Sequence, residues 1–113
     1  MYKVLYYTAV DEFLETLEKK SLSDKRAKAL LKNIRYHIEL LKIKGTQLPM
    51  PYARHIEDSI WELRPTDRRI FYAFYENDTF MLLHYYHKKS QKTPKNEIEK
   101  AKRILQEVIG AKK

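Results

Sequence analysis

Residues 59–86, SIWELRPTDRRIFYAFYENDTFMLLHYY, predict the sheet around which the chain folds. Three runs rich in β-branched and aromatic residues, SIWELRP, RRIFYAFY and FMLLHYY, are separated by PTD and END, two short segments of turn-forming residues. Turns this short connect consecutive strands as antiparallel neighbours. We therefore predict an antiparallel meander of three strands.

The segment before the meander predicts one strand and two helices. YKVLYY, at residues 2–7, is short, aromatic and β-branched, as strands are. A helix is then predicted from residue 8 to about residue 19, and a longer amphipathic helix over 23–43, where apolar residues recur at spacings of three and four. Gly45 is typical of a C-terminal cap, and QLPMP after it predicts an extended connector.

A third helix is predicted at the end of the chain, with Thr93 as N-cap, Pro94 as first helical residue and Gly110 as its end. The order of elements predicts a single α+β domain over 1–113: a helical hairpin packed on a twisted, mostly antiparallel four-stranded sheet, with a C-terminal helix. We expect the sheet face away from the hairpin to be open to a ligand. The strand ends would supply cations to that face: Arg64, Arg68, Arg69, Lys88 and Lys89.

Composition favours a polyanionic partner. The 113 residues include 23 Lys and Arg against 15 Asp and Glu, a net charge of +8, although lysine-rich helix faces can also be simply solvated. With no cysteine and four scattered histidines, we predict no disulfide, metal or cofactor. No run approaches the roughly 18 apolar residues of a membrane span, and the first residues lack a secretory signal, so we expect no membrane contact and a cytoplasmic location.

Arg64 and Arg69 lie on either side of the PTD turn, so a hairpin brings them together. Two guanidiniums placed in this way can hold one phosphate, because each offers a planar fork of donors. The alternative is that they form salt bridges with Glu62 or Asp67.

The segment HYYHKK, residues 84–89, ends the last meander strand. Alternation sends Tyr86 and Lys88 to one face and His87 and Lys89 to the other. The two lysines beside His87 disfavour its charged form, so we expect a neutral imidazole that could serve as a base; the alternative is that His87 is simply an exposed strand end. His84, between leucine and tyrosine, is predicted to be a core histidine.

The elements WELR, RRIFY, LLHYYHKKSQKTP and EIEKAKRIL resemble the RelE superfamily of bacterial toxins, in its HigB and phage Gp49-like branch. The match in detail covers about the C-terminal half of the chain, and the preceding strand and hairpin agree with the family in order and length. The resemblance implies a ribosome-dependent endonuclease that cuts mRNA in the ribosomal A site by attack of a 2′-hydroxyl on the adjacent phosphate, without a metal. It also implies inhibition by a cognate antitoxin, often a helix-turn-helix protein of the HigA type.

The resemblance implies roles for four matched residues. Arg69 matches the arginine of a "YRLVY"-like strand and would hold the scissile phosphate, and Arg64 matches that of an "ELR" element. Lys89 stands where RelE-type members place an arginine on the leaving side, and Lys88 matches the lysine before it. The predicted RNA contacts are Lys88, Arg68, Lys92 and Gln91.

The chain departs from the family at two positions. Glu62 stands where RelE-type members carry a lysine, and their C-terminal tyrosine has no evident counterpart. His87 is therefore the first candidate for proton transfer, with His55 second. A non-catalytic RNA-binding relative is the alternative function, and a purely protein-binding module is a third.

Overall fold

The computed structural model describes residues 1–112 and confirms an α+β architecture. The elements are β1 (Lys3–Tyr6), α1 (Thr8–Lys20), α2 (Lys25–Lys44), β2 (Ala53–Glu57), β3 (Ile60–Leu63), β4 (Arg68–Glu76), β5 (Thr79–His87) and α3 (Lys95–Lys112), with a short 3-10 turn, Gly45–Gln47, after α2. The described part of the chain contains no helix that combines the length and the apolar character needed to cross a membrane.

The sheet has five strands in the order β1-β5-β4-β3-β2. The predicted meander is confirmed, because β3, β4 and β5 pair antiparallel in succession, and β1 joins β5 in parallel. The prediction of four strands was wrong, because it assigned no strand to ARHIE, which forms β2 antiparallel to β3. This segment follows two prolines, and three of its five residues are charged or polar without a strict alternation, so its strand signal is weak.

Both helices of the hairpin form close to the predicted bounds. The Asp24 carboxylate caps α2 by accepting hydrogen bonds from the backbone N–H groups of Arg26 (2.9 Å) and Ala27 (3.3 Å). The last helix begins at Lys95 and runs through Gly110 rather than ending there. A lone glycine inside a helix costs only about 1 kcal/mol, so it does not have to end one.

Each face of the sheet carries its own hydrophobic cluster. The hairpin covers one face, where Val10 and Ile34 pack near Ile70 and Leu82. The other face is not open as predicted, because α3 packs on it. That face must be covered, since its strands present Phe71, Leu83 and other large apolar side chains that the stripe of α3 buries: Ile98, Ala101, Ile104 and Leu105.

Gly45 follows the last residue of α2 and lies against the ring of Tyr2. Its φ is +55°, and a Cβ built there would lie 2.0 Å from the Tyr2 ring. We expect Gly45→Ala to lower the free energy of unfolding by about 2 kcal/mol, through backbone strain and displacement of the ring. Urea denaturation measures this, with Gly110→Ala as the control: Gly110 is helical with open space around it, so that variant should be about 0.5 to 1 kcal/mol more stable. Equal stability of Gly45→Ala and the unmodified chain would contradict the expectation.

Candidate functional site

Pairing of β2, β3 and β4 brings charged side chains together on the α3 face of the sheet. Glu62 on β3 lies opposite Arg54 on β2 and opposite Phe71 on β4. Arg64 is two positions beyond Glu62 and Arg69 is two positions before Phe71, so strand alternation directs both to the same face. Arg69 in turn pairs with Tyr86 on β5.

These residues meet at the carboxylate of Glu62. Its Oε1 lies 3.1 Å from Nη1 of Arg64, 3.5 Å from Nη2 of Arg54 and 3.9 Å from Nε of Arg69. Its Oε2 accepts a hydrogen bond from the hydroxyl of Tyr86 at 3.2 Å. We call these five residues the arginine cluster. Arg64 and Arg69 therefore both contact Glu62, which is the salt-bridge alternative that the sequence offered for them.

The exposed fraction of the side chain differs between the charged members of the arginine cluster, with Glu62 the most buried. The side chain of Glu62 is 1% exposed and that of Arg69 6%, whereas those of Arg64 and Arg54 are 19% and 40% exposed. The Nη1 of Arg69 donates to the carbonyls of Thr66 (3.0 Å) and Arg68 (2.8 Å), which fixes this guanidinium to the PTD turn. Arg54 and Arg64 are therefore the members that a ligand in solvent can reach.

The arginine cluster retains positive charge after its internal pairing. Three guanidiniums face one carboxylate, so an excess of two positive charges remains. Burial, with the neighbouring Arg64, lowers the pKa of Arg69, but an arginine stays protonated in proteins. The Nε of Arg54 is buried and has no acceptor among the described residues. Unused donors and excess charge in a partly desolvated setting favour an anion with several oxygens, such as phosphate.

Tyr86 is the neutral proton donor of the arginine cluster. Burial, together with the adjacent charge of Glu62, raises its pKa, so at neutral pH it is a phenol. Its hydroxyl can donate a hydrogen bond but does not act as a base.

His87 and Arg68 lie on the hairpin side of the sheet, away from the arginine cluster. Both contact Asp67: His87 Nε2 lies 2.9 Å from Oδ2, and Arg68 Nη1 donates to Oδ1 at 2.8 Å. Burial acts to raise the pKa of Asp67, but the charges of Arg68 and His87 outweigh it and hold that pKa below its usual value. We expected Arg64, Arg68 and Arg69 to lie on one open face of the sheet. Alternation along β4 instead places Arg68 and Arg69 on opposite faces.

The other predicted RNA contacts lie in the segment between β5 and α3. Lys88 is half-buried, and its backbone N–H donates to the carbonyl of Asp67 at 2.7 Å. Lys89, Gln91 and Lys92 are exposed, and Lys89 lines a groove of about 740 Å³ at the start of α3. Their contacts with RNA stay predictions.

Two further histidines have partners outside the arginine cluster. His55 Nε2 lies 2.7 Å from the carbonyl of Asp58, with its ring near Trp61. His84 is buried as predicted, with Nε2 2.7 Å from Glu97 Oε1. In the described part of the chain, no group of three or more acidic or histidine side chains could hold a metal ion.

Sequence reasoning missed Arg54 and its contact with Thr93. α3 begins at Lys95, and the Thr93 hydroxyl accepts a hydrogen bond from Arg54 Nη2 at 2.8 Å, which ties the start of α3 to the arginine cluster. The signal for Arg54 was available: pairing ARHIE with SIWEL as a hairpin places Arg54 beside Glu62.

A comparison with protein families gives the chain its class. The family described as Phage derived protein Gp49-like (DUF891) matches residues 12–106. The chain therefore belongs to this Gp49-like family, the RelE/HigB-like toxin branch, and the resemblance seen in its sequence is confirmed. The family suggests a toxin of a toxin–antitoxin system and so implies an antitoxin partner. No curated protein shows a significant match to the chain.

Proposed function

We propose that the chain is the toxin of a type II toxin–antitoxin system, acting as a ribosome-dependent endonuclease on mRNA in the A site. The arginine cluster is the observation that carries this proposal. It combines excess positive charge with two partly exposed guanidiniums, on a chain whose family suggests a toxin of a toxin–antitoxin system. Its cognate antitoxin would be of the helix-turn-helix, HigA-like type, and the toxin would act in the cytoplasm.

In the proposed reaction the 2′-hydroxyl of one nucleotide attacks the adjacent phosphorus, and the bond from phosphorus to the 5′-oxygen breaks. The products are a 2′,3′-cyclic phosphate and a 5′-hydroxyl end. Arg54 and Arg64 would bind the non-bridging oxygens, where negative charge grows in the transition state. Arg69, which the PTD turn holds on the buried side of the arginine cluster, would add its positive charge. The proposed reaction uses no metal.

Two protons have to move in this reaction. One leaves the attacking 2′-hydroxyl and one reaches the departing 5′-oxygen. Tyr86 is a hydrogen-bond donor next to the proposed phosphate position. Lys89, for the leaving side, follows the end of β5, and its participation is part of the proposal. His87, the candidate from sequence for proton transfer, contacts Asp67 on the hairpin side of the sheet, so the geometry does not support that role at the arginine cluster.

Glu62 favours a second candidate function, a non-catalytic RNA-binding relative. It stands where the resemblance places a lysine in RelE-type members, and it engages all three arginines at once. Such a protein would keep RNA affinity without cutting.

The test is primer extension on mRNA from a cell-free bacterial translation reaction. We expect the unmodified chain to produce 5′ ends within codons of the translated message and none in the same RNA without ribosomes. The double variant Arg54→Gln with Arg64→Gln should leave the message full length, while circular dichroism shows it folded. Full-length message with the unmodified chain would refute the nuclease and favour the RNA-binding relative.

A further inference from the structure

The outward side of α2 carries a second apolar stripe besides the one that faces the core. Its members are spaced alternately by four and three positions, the repeat of a helix that packs along another helix. We call them the α2 seam: the apolar or aromatic Ala29, Tyr36, Leu40 and Ile43, with the polar Asn33 among them. From residue 29 to residue 43 the α2 seam runs for about 21 Å.

The α2 seam is only partly covered in the chain, by the packing of Leu40 against the hairpin-side core. Tyr36 is 51% exposed and Ile43 is 59% exposed, which is unusual for two large apolar side chains on one side of one helix. The buried residues of α2, such as Ile34 and Leu41, lie on the opposite side against the sheet. Coverage of Tyr36 and Ile43 therefore requires another molecule.

The charges beside the α2 seam select its partner. Lys25 and Lys32 flank it on one side and Lys44 on the other, all three exposed, and within residues 1–112 no carboxylate lies within 4.0 Å of them. Glu39 is an acidic residue on the same side of α2 as Lys32, and it is already paired with Lys42 at 3.6 Å. A second copy of the chain would set lysine against lysine, whereas acidic residues flanking a partner's apolar stripe would pair with them.

We infer that the α2 seam is a docking surface for an acidic amphipathic helix of a partner protein. That this helix belongs to the antitoxin rests on the proposed function. The α2 seam lies on the hairpin side of the sheet, opposite the arginine cluster, so a helix bound there would leave Arg54 and Arg64 accessible.

The test uses synthetic peptides of about three heptads with leucine at the packing positions. One carries glutamate at the flanking positions and the control peptide carries lysine, and fluorescence anisotropy measures binding to the full chain. We expect the acidic peptide alone to bind, and its affinity to fall at least about tenfold in Tyr36→Ser with Ile43→Ser. Leu22→Ser is the matched control, because Leu22 is 87% exposed in the turn between α1 and α2, outside the α2 seam.

A charge reversal provides a second, independent measurement. Lys32→Glu with Lys44→Glu should exchange the preference, so that the basic peptide binds and the acidic one does not. Equal binding of both peptides, unchanged affinity in the double serine variant, or a concentration-dependent dimer that this variant abolishes would overturn the inference. Loss of RNA binding in the double serine variant, with its lysines intact, would also overturn it in favour of a nucleic-acid surface.

The proposed nuclease function is measured separately. Translation arrest by the double serine variant should equal that of the unmodified chain. Absence of arrest in both would refute the nuclease while leaving the peptide result for the α2 seam intact.

Discussion

Glu62→Ala is expected to lower the free energy of unfolding by about 3 kcal/mol or more. The substitution leaves Arg69, with a side chain 6% exposed, as a buried charge without its carboxylate, and the Tyr86 hydroxyl loses its acceptor. Arg54 and Arg64 can turn towards water, so the cost comes mainly from Arg69. Chemical denaturation followed by circular dichroism measures the change.

A matched control for Glu62 is available on the hairpin. Glu18 pairs with Arg35 at 2.8 Å, but both side chains are more than half exposed. Glu18→Ala should therefore change stability by less than about 0.5 kcal/mol. Glu62→Gln keeps the shape and one acceptor and should fall between the two. A Glu62→Ala chain as stable as the unmodified one would show that the three guanidiniums need no counter-ion.

Arg64→Ala is expected to slow mRNA cleavage on translating ribosomes by about 10² to 10³-fold. Arg64 makes the shortest of the three contacts with Glu62 and is 19% exposed, so it is both held in place and reachable. Arg64→Lys should recover only part of the rate, because an ammonium group cannot bind two phosphate oxygens as a planar fork does. Single-turnover cleavage with excess toxin measures the rates.

Arg35→Ala removes the same charge from the exposed pair on the hairpin and should cleave at close to the rate of the unmodified chain. This control separates a local role of Arg64 from the loss of one positive charge anywhere on the protein. Equal rates for Arg64→Ala and Arg35→Ala would remove the arginine cluster from the reaction.

The fold was largely predictable because its elements carry strong local signals. The meander has apolar runs between turn formers, and the helices have apolar stripes with recognisable starts. ARHIE carries no such local signal, because a short edge strand with charged residues gains its stability from pairing with β3 rather than from its own propensity. That one omission also hid Arg54.

The site was predictable only in part, because it depends on which face each strand residue takes. The hairpin turn predicts that Arg64 and Arg69 lie near each other, and strand alternation predicts the two sides of the HYYHKK strand. Predicting which of these two sides contacts Arg69 requires the register of β4 with β5. In that register Arg69 pairs with Tyr86 and Arg68 pairs with His87. Glu62, treated from sequence as a departure from the family, is in the structure the residue that holds the arginines together.

The parallel pairing of β1 with β5 has a consequence for synthesis of the protein. Lys3 pairs with Thr79, so β1 leaves the ribosome before β2 to β5 and gains its neighbour only after β5 has emerged. The arginine cluster is completed even later, because Thr93 and Tyr86 hold Arg54 and Glu62 in place. Long-range pairing of this kind forms late in folding. A growing chain therefore cannot complete the arginine cluster until Tyr86 and Thr93 have both left the ribosome.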